Sequence, residues 1–511
     1  MNMKRTCLLI AGCFLVCLLG FSNAAEIKDA ETSSQAMDSS ISRVIETYTF
    51  AEFKIVQFSL PVLSIYSYML VSDGEALMVD PVRDITPYLD FAKKKGVTIK
   101  GVHLTHSHAD FVAGHKEMVK MLNCPIYQSH KSGATYRIIP LDESTELKIG
   151  KAILKFIETP GHTPDGMCAI VSSADKPGTP LALFTGDYLF VGSVGRPDLL
   201  EGTISAAWLA GASFDSWTNK VSKLPDSVQI FPAHGAGSLC GAHLSDEPSS
   251  TIGKERTSNP YLTRTRRSEF IAAVLEELPE APQYFKYNAK MNREGPPLVK
   301  WDAPLPKDKK PSVELSNPAK YFVVDVRDTR EYAKGHIQNS VNIGVRGRFE
   351  NWVGTMVPWG SKLVLFGTEP ELKESVFRLH RIGYKADVLR SDTWTKAKMP
   401  LTVNMPIAPK ELHALMEKGE APLIVDVRLP AEWMALKIGT VLILPLTSLA
   451  ERSVLLDPQA PVVVVCNSAY RSSLAAGILE RKGFKNVRSL DGGSQAWIDA
   501  GLPVIQPTEK R

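Results

Sequence analysis

The chain consists largely of short apolar runs that end in turn residues and alternate with longer polar or amphipathic stretches. This pattern is typical of α/β folds. The apolar runs at 66–71 and 76–80 flank Asp73-Gly74 and predict a β-hairpin. The run 462–465 contains only valines, which predicts a buried parallel strand.

The second half of the chain is an internal repeat. The tetrapeptide Val-Asp-Val-Arg at 324–327 recurs at 425–428, about 100 residues later. Five prolines between Gly295 and Pro311 predict a semi-rigid spacer before the repeat. The predicted order is a signal peptide 1–24, a linker 25–50, a catalytic domain 51–294, a proline-rich linker 295–311, and two α/β domains at 312–402 and 403–505.

The N-terminus predicts export. Lys4 and Arg5 precede an apolar stretch at 7–21, and Ser22-Asn23-Ala24 resembles a signal-peptidase site. The apolar stretch is shorter than the roughly 20 residues that a membrane span needs. We therefore expect an exported, periplasmic protein without a membrane span after signal removal. A retained anchor and a lipoprotein are the alternatives.

The composition and net charge of the chain limit the classes of molecule that it is expected to bind. A net charge of +4 over 511 residues is small, and no basic cluster interleaved with aromatics is present, so we expect no nucleic-acid partner. A homo-oligomer is left open. Three of the seven cysteines lie in the predicted signal, and the other four are too scattered for a disulfide framework.

Metal-binding residue types follow several apolar runs. His106, His108 and Asp110 come directly after the run that ends at Leu104. Three further sites have the same placement: His162 after 153–157, Asp187 after 181–184, and His234 after 230–232. Side chains at several strand ends can converge on one metal and leave coordination positions open for substrate.

This order of motifs resembles the metallo-β-lactamase superfamily over roughly residues 51–290. The resemblance implies an αββα sandwich. Hydrolases of this superfamily usually have Asp-His where this chain has Asp110-Phe111, so one nitrogen ligand of a second metal position is missing. A full binuclear zinc site is therefore not expected. Two histidines and one carboxylate bound facially suit non-haem Fe(II).

Within the superfamily, Asp110-Phe111 together with 195–198 and 234–241 resembles the persulfide dioxygenases. That resemblance implies one iron per chain, with the ligands His106, His162 and Asp187. His108, Asp110 and His234 would surround these ligands and orient them through hydrogen bonds. Arg196 would bind a carboxylate of the thiol substrate. Cys240 lies six residues after His234 and is either a sulfur-holding residue of the pocket or a structural thiol.

The second repeat carries a cysteine between strand 462–465 and a predicted helix near Ser472. Cys466 there faces unpaired N–H groups and the positive end of the helix dipole, which favour a thiolate and an anionic partner. The Cys-x4-Arg-Ser loop, with Asp491-Gly492-Gly493, resembles the rhodanese sulfurtransferases. In that family the cysteine carries a persulfide, and the loop amides with Arg471 hold the sulfur donor or acceptor.

The first repeat is predicted to be a rhodanese-like domain without a thiol. Aligning Gly383 with Gly483 sets Phe366 against Cys466 and Glu371 against Arg471. We therefore expect residues 312–402 to be a packing or docking module.

The sequence thus predicts an exported persulfide dioxygenase that uses iron and O2 to oxidise a thiol persulfide, such as glutathione persulfide, to sulfite. Cys466 would transfer sulfane sulfur between a persulfide and sulfite or thiosulfate. The alternatives are a zinc-dependent thioester hydrolase of the glyoxalase II type and a non-enzymatic sulfane-sulfur carrier.

Overall fold

The computed structural model describes residues 40–200, 202–276, 278 and 280–505. The predicted signal peptide 1–24 and the first part of the predicted linker lie outside these residues. Within the described ranges, no helix is both long and apolar enough to cross a membrane.

The first half of the chain forms two facing β-sheets. The first sheet has seven strands in sequence order, antiparallel from β1 to β4 and parallel from β4 to β7. Its strands are β1 Arg43–Thr49, β2 Lys54–Leu60, β3 Ile65–Ser72, β4 Glu75–Val79, β5 Thr98–Leu104, β6 Ile126–Ser129 and β7 Ile139–Leu141. Strands β3 and β4 form the hairpin predicted around Asp73-Gly74.

The second sheet has the order β15-β14-β11-β10-β9-β8. Its strands are β8 Glu146–Ile149, β9 Ala152–Glu158, β10 Met167–Ser173, β11 Ala182–Gly186, β14 Gln229–Pro232 and β15 Ser250–Thr251, while β12 Leu189–Phe190 and β13 Ser193–Val194 form a small separate hairpin. All are antiparallel to their neighbours except β11 and β14, which are parallel.

Helices cover both outer faces of the sheets. The helices of this half are α1 Thr86–Lys95, α2 His115–Leu122, α3 Ala206–Asn219, α4 Ile252–Ser258, α5 Arg267–Glu276 and α6 Phe285–Glu294. Tyr88 of α1 and Met118 of α2 pack on the first sheet, and Trp217 of α3 and Phe270 of α5 pack on the second. Apolar side chains of both sheets fill the space between them. The arrangement is the predicted αββα sandwich.

Two smaller α/β domains follow, each with a four-stranded parallel sheet. The first contains β16 Phe322–Asp325, α7 Thr329–Lys334, β17 Val341–Asn342, α8 Phe349–Met356, β18 Leu363–Gly367, α9 Glu369–Leu379, β19 Asp387–Arg390 and α10 Ser391–Lys396. The second contains α11 Pro409–Glu417, β20 Leu423–Asp426, α12 Pro430–Ala435, β21 Leu442–Ile443, α13 Leu446–Arg452, β22 Val462–Val465, α14 Tyr470–Arg481, β23 Val487–Ser489 and α15 Gly493–Asp499.

The prediction of a linker over 25–50 is wrong for its last part. Strand β1 occupies Arg43–Thr49 and pairs with β2 along its length. The segment is rich in β-branched and aromatic residues, which suit a strand. Its side chains are mostly exposed because β1 is an edge strand, so the segment lacks the apolar signal of a buried element.

Arg381 joins the sandwich to the first small domain. Its guanidinium is 1% exposed and bonds Asp84 of the sandwich at 2.8 and 3.2 Å and Glu350 of α8 at 3.0 Å. It also donates to the carbonyl of Ser40 at 2.5 Å. Arg381 therefore joins two buried carboxylates from different parts of the chain, of which Glu350 also pairs with Arg378.

Replacing Arg381 should destabilise the interface. In Arg381→Met, Asp84 stays buried without its guanidinium partner and Glu350 keeps only Arg378, which costs on the order of 3–5 kcal/mol in the free energy of unfolding. Calorimetry should show a lower unfolding temperature for this variant than for Arg137→Met, which changes an exposed arginine. Equal unfolding temperatures would show that Arg381 does not stabilise the domain interface.

Candidate metal centre and cysteine loop

The four predicted strand-end sites converge at one edge of the sandwich. His106 follows β5, His162 follows β9, Asp187 follows β11 and His234 follows β14. Asp187 lies at the centre: its Oδ2 is 3.4 Å from the Nε2 atoms of both His162 and His234, and 3.7 Å from that of His106.

The geometry of these residues fits a metal ion. One ligand atom each from His106, His162 and Asp187 lies within 4.8 Å of the others, and all three side chains are buried. The Nε2 atoms of these histidines and both oxygens of Asp187 have no hydrogen-bond partner among the described residues. Buried polar atoms normally have partners, so a cation bound between them accounts for the cluster.

Hydrogen bonds at Nδ1 turn each Nε2 toward the centre. His162 Nδ1 donates to the carbonyl of Arg196 at 2.8 Å, and His234 Nδ1 donates to that of Ser64 at 2.9 Å. The Thr105 hydroxyl donates to Asp80, so it accepts from His106 Nδ1 at 3.0 Å. Because Nδ1 carries the proton in each ring, each Nε2 is free to bind metal.

The charges also suit a divalent cation. Burial lowers the pKa of His106 and of His162, so both rings are neutral at physiological pH. Burial alone would raise the pKa of Asp187, but His234 and His106 lower it to well below its ordinary value. The donor set is therefore two neutral imidazoles and one carboxylate.

The residues predicted to orient the ligands lie beside them. His108 Nε2 is 2.9 Å from Asp80 Oδ1, and Asp110 Oδ2 is 3.4 Å from His234 Nε2. Phe111 is fully buried, and its ring centroid is 4.4 Å from that of His108. The phenyl ring therefore occupies apolar space directly beside the histidine cluster.

Cys240 lies beside the metal-binding residues and not elsewhere in the fold. Its Sγ belongs to a second buried group with Asp110 and His234, whose ligand atoms lie within 4.8 Å of one another. Burial and the nearby Asp110 and Asp187 raise the pKa of the thiol well above its ordinary value. In the absence of a bound cation the thiol is therefore neutral.

Restoring a nitrogen ligand should change the metal content. Phe111→His adds an imidazole beside Asp110, which completes a second nitrogen-containing position and should raise zinc bound per chain without improving oxygen chemistry. Elemental analysis of protein grown with added zinc measures this, with Phe91→His, a substitution outside the site, as the control. Unchanged zinc content would contradict this picture of the site.

Arg196 is held by its own loop. Its Nε and Nη2 donate to the two carboxylate oxygens of Asp198 at 2.7 and 2.8 Å, and Nη1 donates to the carbonyl of Leu239 at 3.1 Å. One edge of the planar guanidinium group is therefore bound by Asp198, a residue to which the sequence analysis assigned no role. Binding of a substrate carboxylate by Arg196 stays a prediction.

A cleft borders the metal-binding loops. Ser107 and Thr163, neighbours of His106 and His162, form part of its wall, together with Lys131 and Arg293. Neither Lys131 nor Arg293 was predicted from the sequence to lie at the site. They are distant from every motif in sequence, and no local pattern distinguishes them from other surface charges.

The cysteine loop connects β22 to α14, as predicted. Cys466 is fully buried, and its Sγ donates to Ser472 Oγ at 3.5 Å. Its backbone carbonyl accepts from the Ser494 N–H at 2.7 Å. Ala469 has φ +77°, a left-handed conformation that is rare for residues other than glycine. The loop is therefore a tight, strained turn at a helix N-terminus.

Arg471 is bound by a carboxylate within the domain. Its two terminal nitrogens donate to Glu432 at 2.7 Å each. Burial would raise the pKa of Glu432, but Arg471 lowers it below its ordinary value. The pair fixes α12 to the start of α14. Direct contact of Arg471 with a sulfur substrate stays a prediction.

The strand register corrects the alignment of the two copies. Asp325 pairs with Phe366 in the first domain, and Asp426 pairs with Val465 in the second. The residue that corresponds to Cys466 is therefore Gly367, one position after Phe366. The alignment of Gly383 with Gly483 was shifted by one residue because the first copy has a shorter loop. Helix α9 begins at Glu369, two residues after Gly367, whereas α14 begins at Tyr470, four residues after Cys466.

The helix N-terminus in the first copy is also filled by its own side chain. Glu371 accepts from the Thr368 N–H at 2.9 Å and from the Thr368 hydroxyl at 2.6 Å in a capping box. A carboxylate thus occupies the place where the second copy has its cysteine loop. The first copy has Gly367 in place of the thiol and a capped helix N-terminus, and its inability to carry sulfur stays a prediction.

The fold and the metal-binding geometry define a metal-dependent enzyme of the metallo-β-lactamase type. The profile of the metallo-beta-lactamase superfamily matches residues 60–234, and that of the rhodanese-like domain matches 312–390 and 408–500. The chain belongs to the metallo-β-lactamase superfamily and carries two rhodanese-like domains.

Two curated relatives represent different activities. The chain is 30% identical over 203 residues to the mitochondrial persulfide dioxygenase ETHE1 of Mus musculus, covering 39% of this chain and 71% of that protein. It is 32% identical over 170 residues to the hydroxyacylglutathione hydrolase of Hahella chejuensis, covering 33% of this chain and 61% of that protein. The crystal structure of a metallo-beta-lactamase from Staphylococcus aureus aligns with a TM-score of 0.59 at 29% identity, covering 66% of this chain and 98% of that one.

Proposed function

We propose that this enzyme is a persulfide dioxygenase coupled to a sulfurtransferase. The observation that carries the proposal is the metal-binding group of His106, His162 and Asp187 beside Phe111, in one chain with the Cys466 loop. The overall reaction would be R–S–SH + O2 + H2O → R–SH + SO3²⁻ + 2 H⁺. In it the terminal sulfur of the persulfide is oxidised and O2 is reduced.

His106, His162 and Asp187 would bind one Fe(II) facially. When bound, iron supplies oxygen activation through its open coordination positions. The surrounding protein fixes the ligands: the carbonyls of Arg196 and Ser64 orient His162 and His234, and Asp80 acts on His106 through Thr105. Phe111 and the apolar residues around it limit water access beside the site.

The cleft beside the metal-binding loops would hold the thiol. Its wall combines Lys131, Arg293 and the carboxyl group of Asp165 with Leu199 and Leu200, so it offers polar groups of both signs next to apolar surface. A small thiol with carboxylates, such as glutathione, matches this chemistry. Lys131 forms an ion pair with Glu158, with 2.6 Å between Nζ and Oε2. Arg293 is therefore the principal candidate for binding a carboxylate of the substrate.

Cys466 would then use the sulfite. Its thiolate takes the terminal sulfur of a second persulfide and releases R–SH. Sulfite attacks the outer sulfur of the Cys466 persulfide, a new S–S bond forms, and the electron pair of the broken bond returns to Sγ. The product is thiosulfate. We favour this direction because sulfite would be produced in the same chain.

Export to the periplasm is part of the proposal and rests on the N-terminal sequence alone. Fractionation of cells that produce the chain, with detection of residues 25 onward in the periplasm, tests it. Retention in the cytoplasm would refute export without affecting the chemistry.

The second candidate is thioester hydrolysis. It is favoured by the buried group of Asp110, His234 and Cys240, which offers ligands for a second ion, and by the similarity to a hydroxyacylglutathione hydrolase. Metal analysis of the active protein separates the two. One iron per chain, with oxygen uptake and little hydrolysis of a glutathione thioester, supports dioxygenation, whereas two zinc ions per chain with rapid hydrolysis refute it.

A further inference from the structure

One loop of the first rhodanese-like domain contacts segments that adjoin both centres. It consists of residues 344–348, between β17 and α8, and we name it the bridging loop. At one end, the carbonyl of Gly344 accepts from the Tyr470 hydroxyl at 2.8 Å. Tyr470 is the first residue of α14 and directly follows the loop that carries Cys466.

The same tyrosine packs on the middle of the bridging loop. A Cβ at Gly347 would lie 2.6 Å from Tyr470 Cε2, so only glycine permits this contact. The bridging loop is thus in close van der Waals contact with the N-terminus of the cysteine-bearing helix.

The other end of the bridging loop lies against the metal centre. Arg348 Nη2 is 3.5 Å from Ser64 Oγ, and the carbonyl of Ser64 orients His234. A Cβ at Gly237, three residues after His234, would lie 2.9 Å from Arg348 Nη1. Arg348 therefore covers the glycine-rich segment that leads to Cys240.

A buried arginine fixes the shape of the bridging loop. Arg378 is 1% exposed and donates to the carbonyls of Val345 and Gly347, the latter at 2.9 Å. It also pairs with Glu350, which Arg381 bonds from the other side at 3.0 Å. The negative charge of Glu350, next to the bridging loop, is therefore neutralised by these two buried arginines.

The bridging loop itself is cationic. It contains Arg346, which is exposed, and the half-buried Arg348, and it contains no acidic residue. Two guanidinium groups on a preorganised backbone are suited to bind a small oxyanion. The bridging loop that carries them contacts segments next to both centres, a property that a simple packing module would not need.

We propose that the bridging loop binds sulfite between the metal centre and Cys466, through Arg346 and Arg348. This inference rests on the proposed function, in which sulfite is the product of one centre and the sulfur acceptor of the other. Positive charge between the centres would retain the anion and raise its local concentration near the Cys466 persulfide. The first rhodanese-like domain would then act as an anion-binding bridge.

Isotope dilution tests the proposal. The iron-loaded full-length protein oxidises unlabelled glutathione persulfide in the presence of ³⁴S-sulfite, and mass spectrometry measures ³⁴S in the sulfonate sulfur of thiosulfate. Retained internal sulfite should keep this fraction at least about two-fold below that of the free sulfite pool. In Arg346→Gln/Arg348→Gln it should approach the pool value. Because the readout is a ratio, a general loss of rate does not change it.

Direct binding gives a second readout. Equilibrium dialysis with ³⁵S-sulfite on the full-length Cys466→Ser protein should show weaker sulfite binding after either or both arginines are replaced, and unchanged binding in Lys362→Gln. Lys362 is exposed at the opposite end of β18, and its replacement removes one positive charge, as does each of the single replacements Arg346→Gln and Arg348→Gln with which it is compared. Thiosulfate that carries the pool fraction in the unmodified protein, or equal sulfite binding in all variants, overturns the bridge. If no oxygen is consumed and no sulfite forms, the proposed function fails instead.

Discussion

Asp187→Ala should abolish oxygen uptake and iron binding together. Asp187 is the carboxylate of the metal-binding group, and its Oδ2 lies within 3.7 Å of three imidazole Nε2 atoms. Removing it leaves two imidazoles, which do not form a facial triad. We expect iron per chain and the rate of persulfide-dependent oxygen uptake to fall by more than about 100-fold. Elemental analysis and an oxygen electrode measure the two quantities.

Asp175→Ala is the matched control, because Asp175 is an exposed aspartate in the same sandwich. It should retain iron and oxygen uptake. Thiosulfate sulfurtransfer by Asp187→Ala should also persist, since the Cys466 loop belongs to another domain. Full oxygen uptake by Asp187→Ala would exclude it as a ligand and refute the assigned triad.

Cys466→Ser should have the opposite phenotype. A hydroxyl is a far weaker nucleophile than a thiol, so the loop at the N-terminus of α14 cannot activate it for sulfur transfer. We expect sulfurtransfer from thiosulfate to cyanide to fall by at least about 1,000-fold, with oxygen uptake from glutathione persulfide and iron content unchanged. The products of persulfide oxidation should then be sulfite without thiosulfate.

Cys124→Ser controls for the loss of a thiol, because Cys124 is buried in the core of the sandwich and outside both sites. It should keep both activities. If Cys466→Ser stopped oxygen uptake from free glutathione persulfide, sulfur would have to pass through Cys466 before it reaches the metal centre. The two sites would then work in obligatory order.

Much of the site could be predicted because its residues follow strands. His106, His162, Asp187 and His234 each come directly after an apolar run, and strand ends of a sandwich meet at one edge. The chemistry of the donor set then depends only on residue types. Likewise, Cys466 directly follows the run of four valines that forms β22.

The parts that could not be predicted depend on tertiary contacts. Arg196 and Arg471 were expected to face substrate, yet each is bidentate to an acid of its own domain, Asp198 or Glu432. A sequence shows that an arginine is present but not which carboxylate binds it. The role of Gly367 was hidden for a related reason, since only hydrogen-bond register shows that it corresponds to Cys466.

The bridging loop is a contact of the same kind. Nothing local distinguishes Gly347 and Arg348 from an ordinary surface turn, and their partners Tyr470 and Ser64 are more than 100 residues away along the chain. The role of residues 312–402 as a packing or docking module stays a prediction, and no pattern in the sequence indicates the contacts of this domain beside both centres.

Oxygen consumption on addition of glutathione persulfide to the iron-loaded protein decides whether this enzyme is a persulfide dioxygenase. We predict one O2 consumed for each sulfite formed, with Cys466→Ser used so that sulfite is not converted further. The zinc-loaded protein should consume no oxygen. Absence of oxygen uptake by the iron-loaded protein, with hydrolysis of a glutathione thioester by the zinc-loaded form, would contradict the proposed dioxygenase function.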